Sequence, residues 1–258
     1  MTRNNNNPLV KVGKIPFRVS TVHSAVSEIY YYVDTKQTIS IRLSNAYCVA
    51  LASQDAHYEA LLNGPGLNFP DGAPVAWLMR RKNPHAEQVR GPSLFKMALE
   101  KGQYHSARHF FLGSTDSTLK KLYTVIAEQY PALNVSGTYS PPFAQIDEDF
   151  YAKCLSVLDK RDQDIIWVAL GTPKQDFVAQ ELARRTGAVC IAVGAAFDFT
   201  AGSAKEAPRW IQRINLEWLY RLTTEPKRLW RRYIFGNIRF LYSAAKHSKQ
   251  PQAGQRNE

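Results

Sequence analysis

Three short turns and one asparagine carry the residue types that proton transfer and phosphate binding need. Pro70-Asp71-Gly72 sets a carboxylate in a tight turn after a short apolar run, where it could take a proton from an attacking hydroxyl. Asp-Gly is also an ordinary turn pair, so the dipeptide alone leaves a purely structural role open. Leu170-Gly171-Thr172-Pro173-Lys174-Gln175 opens a helical stretch whose first N–H groups could face a phosphate, although Pro in a first turn is equally ordinary capping. Val193-Gly194-Ala195-Ala196-Phe197-Asp198 ends another apolar run on a carboxylate, and Asn45 closes the first one. Neither a GxxxxGK[ST] loop nor a GxGxxG turn is present, which weakens kinase and dehydrogenase readings. No Asp-x-Asp pair is expected to hold a metal on a sugar diphosphate. Arginines and helix N-termini are left to carry the leaving-group charge, with no metal and no cofactor.

For these turns to meet, each must end a strand of one sheet, because open α/β sheets bind ligands beyond the carboxyl ends of their strands. Period-2 alternation and apolar runs predict strands at 38–43, 67–69, 109–112, 133–139, 164–170 and 188–199. Helical spacing predicts helices from Ser20 or Thr21 to Tyr31 and at 45–62, 73–81, 92–101, 114–129, 147–160 and 173–185. Such alternation is that of an α/β, Rossmann-like, mainly parallel doubly wound sheet. Residues 1–14 and 248–258 read as tails, 15–202 as the α/β catalytic domain and 203–247 as a basic amphipathic helical appendage.

The composition shift that marks this appendage is one of charge. The chain carries 33 Lys and Arg against 22 Asp and Glu, a net +11, and between Lys205 and Lys249 eleven basic residues face three acidic ones. Such an excess implies polyanionic company. From Pro226 onward, Leu229, Trp230, Tyr233, Ile234, Ile238, Leu241 and Tyr242 recur at helical spacing with Lys227, Arg228, Arg231, Arg232 and Arg239 between them. That pattern fits a helix lying on anionic lipid, each basic group contributing roughly 1 kcal/mol near the surface. A core-packed helix with a solvated cationic face is the plainer alternative. A nucleic-acid surface is the third, with no helix-turn-helix, RNA-recognition or zinc pattern to accompany it. Three cysteines without CxxC spacing fit a reducing cytoplasm, and neither a signal peptide nor 18 consecutive apolar residues occur in this sequence.

The same segments, in this order, carry a family resemblance. The Asp71-Gly72 turn leads into Pro74-Val75-Ala76-Trp77. Then come Gly171-Thr172-Pro173-Lys174-Gln175, Phe197-Asp198-Phe199 with Ala201-Gly202, Ala207-Pro208, Glu217-Trp218-Leu219-Tyr220-Arg221-Leu222, Glu225-Pro226-Lys227-Arg228 and Arg231-Arg232-Tyr233. From about Asn45 to Leu241 the chain resembles the WecG/TagA/CpsF glycosyltransferases. The resemblance implies metal-independent, inverting transfer from a UDP-sugar, commonly N-acetylmannosamine or its uronic acid, to a sugar on undecaprenyl diphosphate. It implies surface-polysaccharide synthesis at the cytoplasmic face of a membrane, by a peripheral protein that binds no nucleic acid and is allowed to self-associate.

By the same resemblance Asp71 is the catalytic base. Substrate-binding positions are Asn45, Gly72, Arg90, Lys174, Gln175, Asp198, Arg221, Arg228, Arg231 and Arg232. The chain also departs from the family pattern. Gln88-Val89-Arg90-Gly91 stands where Arg-Val-x-Gly is usual, which makes Arg90 the candidate replacement for the missing arginine. Ser93 stands for a common Asp, Asp176 for Glu, Ala195 for Gly and Glu206 for Arg or Lys. The donor sugar is therefore left unnamed. A scaffold that kept the fold and lost the reaction is a competing expectation.

Overall fold

A computed structural model of the chain describes residues 7–158 and 162–247, with side chains at 228, 231–235 and 247 outside the description. The chain opens with β1 (Leu9–Val12) and β2 (Ile15–Arg18), an antiparallel hairpin with Val12 opposite Ile15. Then follow α1 (Val22–Asp34), β3 (Ile39–Ser44), α2 (Ala46–Ala52), α3 (Ala56–Asn63) and β4 (Leu67–Pro70). Next are α4 (Ala73–Arg80), α5 (Gly91–Gly102), β5 (His109–Gly113), α6 (Asp116–Gln129), β6 (Val135–Tyr139), α7 (Glu148–Leu158) and β7 (Ile165–Ala169). The order ends with α8 (Lys174–Thr186), β8 (Val189–Ala192), α9 (Ala196–Thr200), α10 (Arg209–Arg213), α11 (Glu217–Thr224) and α12 (Pro226–His247).

Strands β3 to β8 form one parallel sheet in the order β4-β3-β8-β7-β5-β6. Helices cover both of its faces, as a parallel sheet requires. In β5 Phe111 points into the layer of α1, α5, α6 and α9 while Phe110 and Leu112 point into that of α7 and α8. Trp167 and Ile191 take the first side; Ile166, Val168, Cys190 and Ala192 take the second. The Rossmann-like architecture expected from the alternation is the one observed.

Several boundaries differ from expectation for local reasons. Leu9–Val12 is a strand rather than tail, with Val10 and Val12 buried together with Ile15 and Phe17 across a Gly13-Lys14 turn. Residues 1–6 and the expected tail 248–258 lie outside the described residues. The single helix expected over 45–62 is two, because the Asp55 carboxylate accepts from His57 N–H and Tyr58 N–H and so starts α3 anew. The strand expected to run to Phe199 stops at Ala192. Gly194, at φ +60, turns the chain and Ala196–Thr200 is helical, so Asp198 sits on a helix.

The carboxyl-terminal helices are held unequally. In α12 Leu229 and Phe240 are buried, Phe240 in one cluster with Val10, Ile15 and Val49, and Gly236 lies against Tyr47 of α2. Leu229, read from sequence as part of a lipid-facing stripe, is thus a core residue. Ile238, Leu241 and Tyr242 on the same helix are 63%, 63% and 69% exposed. Helices α10 and α11 have no buried residue. Among the described residues no helix is long and apolar enough to cross a membrane.

Candidate active site

Asp71 follows β4 directly. Its N–H donates to Ser44 O at the end of β3 (3.1 Å), and its carbonyl accepts from Gln88 Nε2 (3.0 Å), so neighbouring segments fix the turn. The carboxylate is then aimed by a single backbone bond: Gly91 N–H, at the start of α5, donates to Oδ1 at 2.8 Å. No described residue is recorded as donating to Oδ2. Burial pushes this carboxyl up to about 6, against the Gly91 N–H, Arg90 and Arg221, which favour the charged form; the Glu217 carboxylate adds to the rise. A carboxylate poised near neutrality, with one oxygen held and the other without a donor among the described residues, is equipped to accept a proton.

The cavity that Asp71 faces has a volume of about 370 Å³. Its floor is the strand-end set Asn45, Asp71 and Gly72, with Gln88 from the segment before α5. Glu217, Trp218 and Arg221 of α11 and Asn237, Phe240 and Leu241 of α12 wall the other side. Asn45 caps α2, its Oδ1 accepting from Tyr47 N–H (3.0 Å). Gly72 is packed so that a Cβ would lie 3.2 Å from that of Asn45. The Arg221 guanidinium stands 5.6 Å from the centre of the Phe199 ring and makes no salt bridge among the described residues. Sequence reasoning singled out none of Glu217, Trp218, Asn237, Phe240 and Leu241 as site residues, since only the folding back of α11 and α12 brings them to β4.

The other expected substrate-binding residues are distributed differently. Arg90 lines the cavity, yet its fork is taken: Nε lies 2.7 Å from Glu217 Oε1 and Nη2 donates to Glu217 Oε2 at 2.9 Å. Asp198 and Arg221 border a cleft of about 500 Å³ with Ser203 and Lys205, and Ser114 Oγ donates to Asp198 (3.2 Å). Lys174 borders a third hollow of about 530 Å³ at the ends of β5, β6 and β7, its Nζ bonded to Ala144 O (3.3 Å). Gln175 lines none of these three hollows. It is 2% exposed, and its Oε1 accepts from Gly171 N–H (3.2 Å) and Gly194 N–H (3.1 Å), joining two strand-end loops that both turn through positive φ. Gln175→Ala should leave both donors unpaired and lower stability by about 2 kcal/mol. Urea unfolding at pH 7 checks this, and an unchanged midpoint would show that the loops hold without it. Arg228, Arg231 and Arg232 lie outside the described side chains.

Asp-x-Asp spacing does occur twice in the sequence, and neither copy faces the cavity. Asp147 caps α7 by accepting from Phe150 N–H, and Asp162 and Asp164 both pair with Arg108 at the amino end of β7. Among the described residues no group of three or more His, Cys, Asp or Glu is placed to hold a metal ion.

An open parallel sheet with an ionisable carboxylate at a strand's carboxyl end, inside a cavity that later helices close, is the site plan of a doubly wound α/β enzyme. The model of the glycosyl transferase WecG/TagA/CpsF family matches residues 10–254, and the chain belongs to that family. It is 30% identical over 226 residues, 86% of each chain, to the N-acetylglucosaminyldiphosphoundecaprenol N-acetyl-beta-D-mannosaminyltransferase of Bacillus subtilis (strain 168). Proteins of the same name are 27% identical in Bacillus spizizenii, over 92% of this chain and 91% of the relative, and 24% identical in Staphylococcus aureus (strain NCTC 8325 / PS 47), over 95% of each.

Proposed function

We propose that this glycosyltransferase moves an N-acetylmannosamine-like sugar or its uronic acid from a UDP-sugar to an acceptor sugar carried on polyprenyl diphosphate, with inversion and without a metal. The observation that carries the reading is Asp71: a strand-end carboxylate raised to about 6, held at Oδ1 by Gly91 N–H and lining the cavity. Oδ2 takes the acceptor hydroxyl's proton as the hydroxyl oxygen bonds to the anomeric carbon. The bond from this carbon to the diphosphate breaks on the opposite face, and UDP leaves. One displacement inverts the centre. Arg221, with Arg228, Arg231 and Arg232, carries the charge of the departing diphosphate. The acceptor class follows the relatives' names, which specify an N-acetylglucosaminyl diphosphoundecaprenol.

On this reading the protein works on the carrier at the cytoplasmic face of a membrane, in the synthesis of an envelope polysaccharide. The exposed apolar side chains Trp210, Ile214, Trp230, Ile238 and Tyr242, among helices rich in Lys and Arg, supply the contact surface.

A panel of UDP-sugars at 100 times the dissociation constant should identify the donor, because such a ligand stabilises by about 2.7 kcal/mol and raises the unfolding temperature by roughly 5–10 °C. Transfer from that donor should survive EDTA. Activity lost to EDTA and restored by magnesium or manganese would sink the metal-independent reading, and a panel with no shift would remove the nucleotide-sugar donor.

A further inference from the structure

We propose that Arg90 is a positioning residue, an ion-pair clasp that seats α11 over the cavity instead of binding the donor. Helix α11 has no fully buried residue, so apolar packing holds it to the sheet domain only weakly, yet it brings Trp218 and Arg221 to the cavity wall. Its polar tie is the fork from Arg90 to both oxygens of Glu217, at 2.7 and 2.9 Å. Glu206 Oε1 stands 3.5 Å from Nη2 of the same guanidinium and Glu206 Oε2 pairs with Lys96 Nζ at 3.1 Å, while Arg90 Nη1 donates to Ser93 Oγ at 3.0 Å. Nη1 and Nη2 are thus hydrogen-bonded within the protein, and Nε stands in ion-pair contact with Glu217 without a hydrogen bond of its own among the described residues. The cluster is largely withdrawn from water, with Arg90 at 17% and both glutamates at 25% side-chain exposure, where an ion pair is stronger than at an open surface.

The clasp also reaches the reacting end. Arg90 is the residue before Gly91, whose N–H aims Asp71 Oδ1, so one peptide segment sets the carboxylate on one side and holds the opposite wall on the other. Gln88, two residues earlier, bonds the Asp71 carbonyl, so the same segment also fixes the backbone of the turn. The tie runs from Glu217 through Arg90 and Glu206 to Lys96 along one side of the cavity.

The inference uses the transferase reading for its activity measurements only, and the test separates the two. Arg90→Gln, Glu217→Gln and the double variant are compared in the full-length protein by hydrogen exchange of the α11 amides and by transfer kinetics. Each single variant should loosen α11 and lower kcat/KM roughly tenfold, and the double should be no worse than the weaker single, as residues acting through one contact are not additive. Asp71 is faced by Arg90 from the segment before α5 and by Glu217 and Arg221 from α11. The acid limb of kcat/KM should therefore move up in Arg90→Gln and down in Glu217→Gln, a shift that loss of stability alone does not give. Losses that multiply in the double variant, with α11 amides protected as in the parent, would make Arg90 a donor ligand and overturn the clasp. If no sugar is turned over by the parent, the exchange measurement still decides whether Arg90 seats α11.

Discussion

Asp71→Asn is expected to lower transfer by roughly 100-fold or more while leaving donor binding in place, since the amide keeps the shape and the bond from Gly91 N–H but accepts no proton. The parent's kcat/KM should rise with pH through about 6 as Asp71 ionises, then level off, and the variant's residual rate should lack that limb. Stability should move the other way. A carboxyl whose folded value lies above its unfolded one disfavours the folded state once ionised, and this penalty grows between about pH 4 and pH 6. At pH 8, Asp71→Asn should therefore be more stable than the parent by on the order of 2 kcal/mol, and at pH 4 nearly equal to it. Turnover within a few-fold of the parent across pH 6 to 9 would remove Asp71 as the base. An unfolding midpoint lower than the parent's at pH 8 would show that burial strains this carboxylate less than its surroundings imply.

Ending the chain before Pro226 should abolish transfer even on a soluble acceptor analogue and destabilise what remains. Helix α12 is part of the core: Phe240 packs with Val10, Ile15 and Val49, and loss of one such side chain ordinarily costs about 3–5 kcal/mol. The same deletion removes Asn237, Phe240 and Leu241 from the cavity wall. Truncation alone therefore conflates anchoring with catalysis, which a gentler variant separates. Ile238→Ser with Tyr242→Ser changes two side chains that are 63% and 69% exposed and absent from the cavity lining. It should leave stability within about 0.5 kcal/mol, since exposed substitutions ordinarily do. Binding to anionic vesicles should weaken, most visibly in added salt, which screens surface charge beyond about 8 Å at physiological ionic strength. Vesicle binding unchanged by the two serines would place the membrane contact elsewhere, and a truncated protein with the parent's rate would take α12 out of the site.

The hairpin of β1 and β2 is carried by Val10, Val12, Ile15 and Phe17, which alternate around the two-residue turn Gly13-Lys14, a pattern that the Asn-rich start masks in the sequence. Asp55 carried the break between α2 and α3 as a capping residue inside an otherwise helical pattern. The parallel strands were easier to read because burial on both faces leaves unbroken apolar runs such as Ile165 to Ala169, and a strand's end is marked by the first residue that cannot be buried. The same signal marks Asp71, Asn45 and the loops at Gly171 and Gly194 as strand ends in the sequence.

What those residues do could not be read in the same way. Gln175 and Lys174 are adjacent in sequence, and only the fold sends one into the core as a brace between two loops and the other to an outer hollow. Arg90 shows the same limit. Its charge and its place near the Asp71 turn were visible in the chain, but Glu217 is 127 positions away and its partnership is set by how α11 folds back. The sequence by itself determined the sheet, the family and the carboxylate at the end of β4, because periodicity, turn chemistry and short motifs are local properties of a chain. The tertiary structure decided which polar groups are engaged and which remain open to a ligand, because hydrogen bonding and burial depend on contacts between residues that only folding brings together.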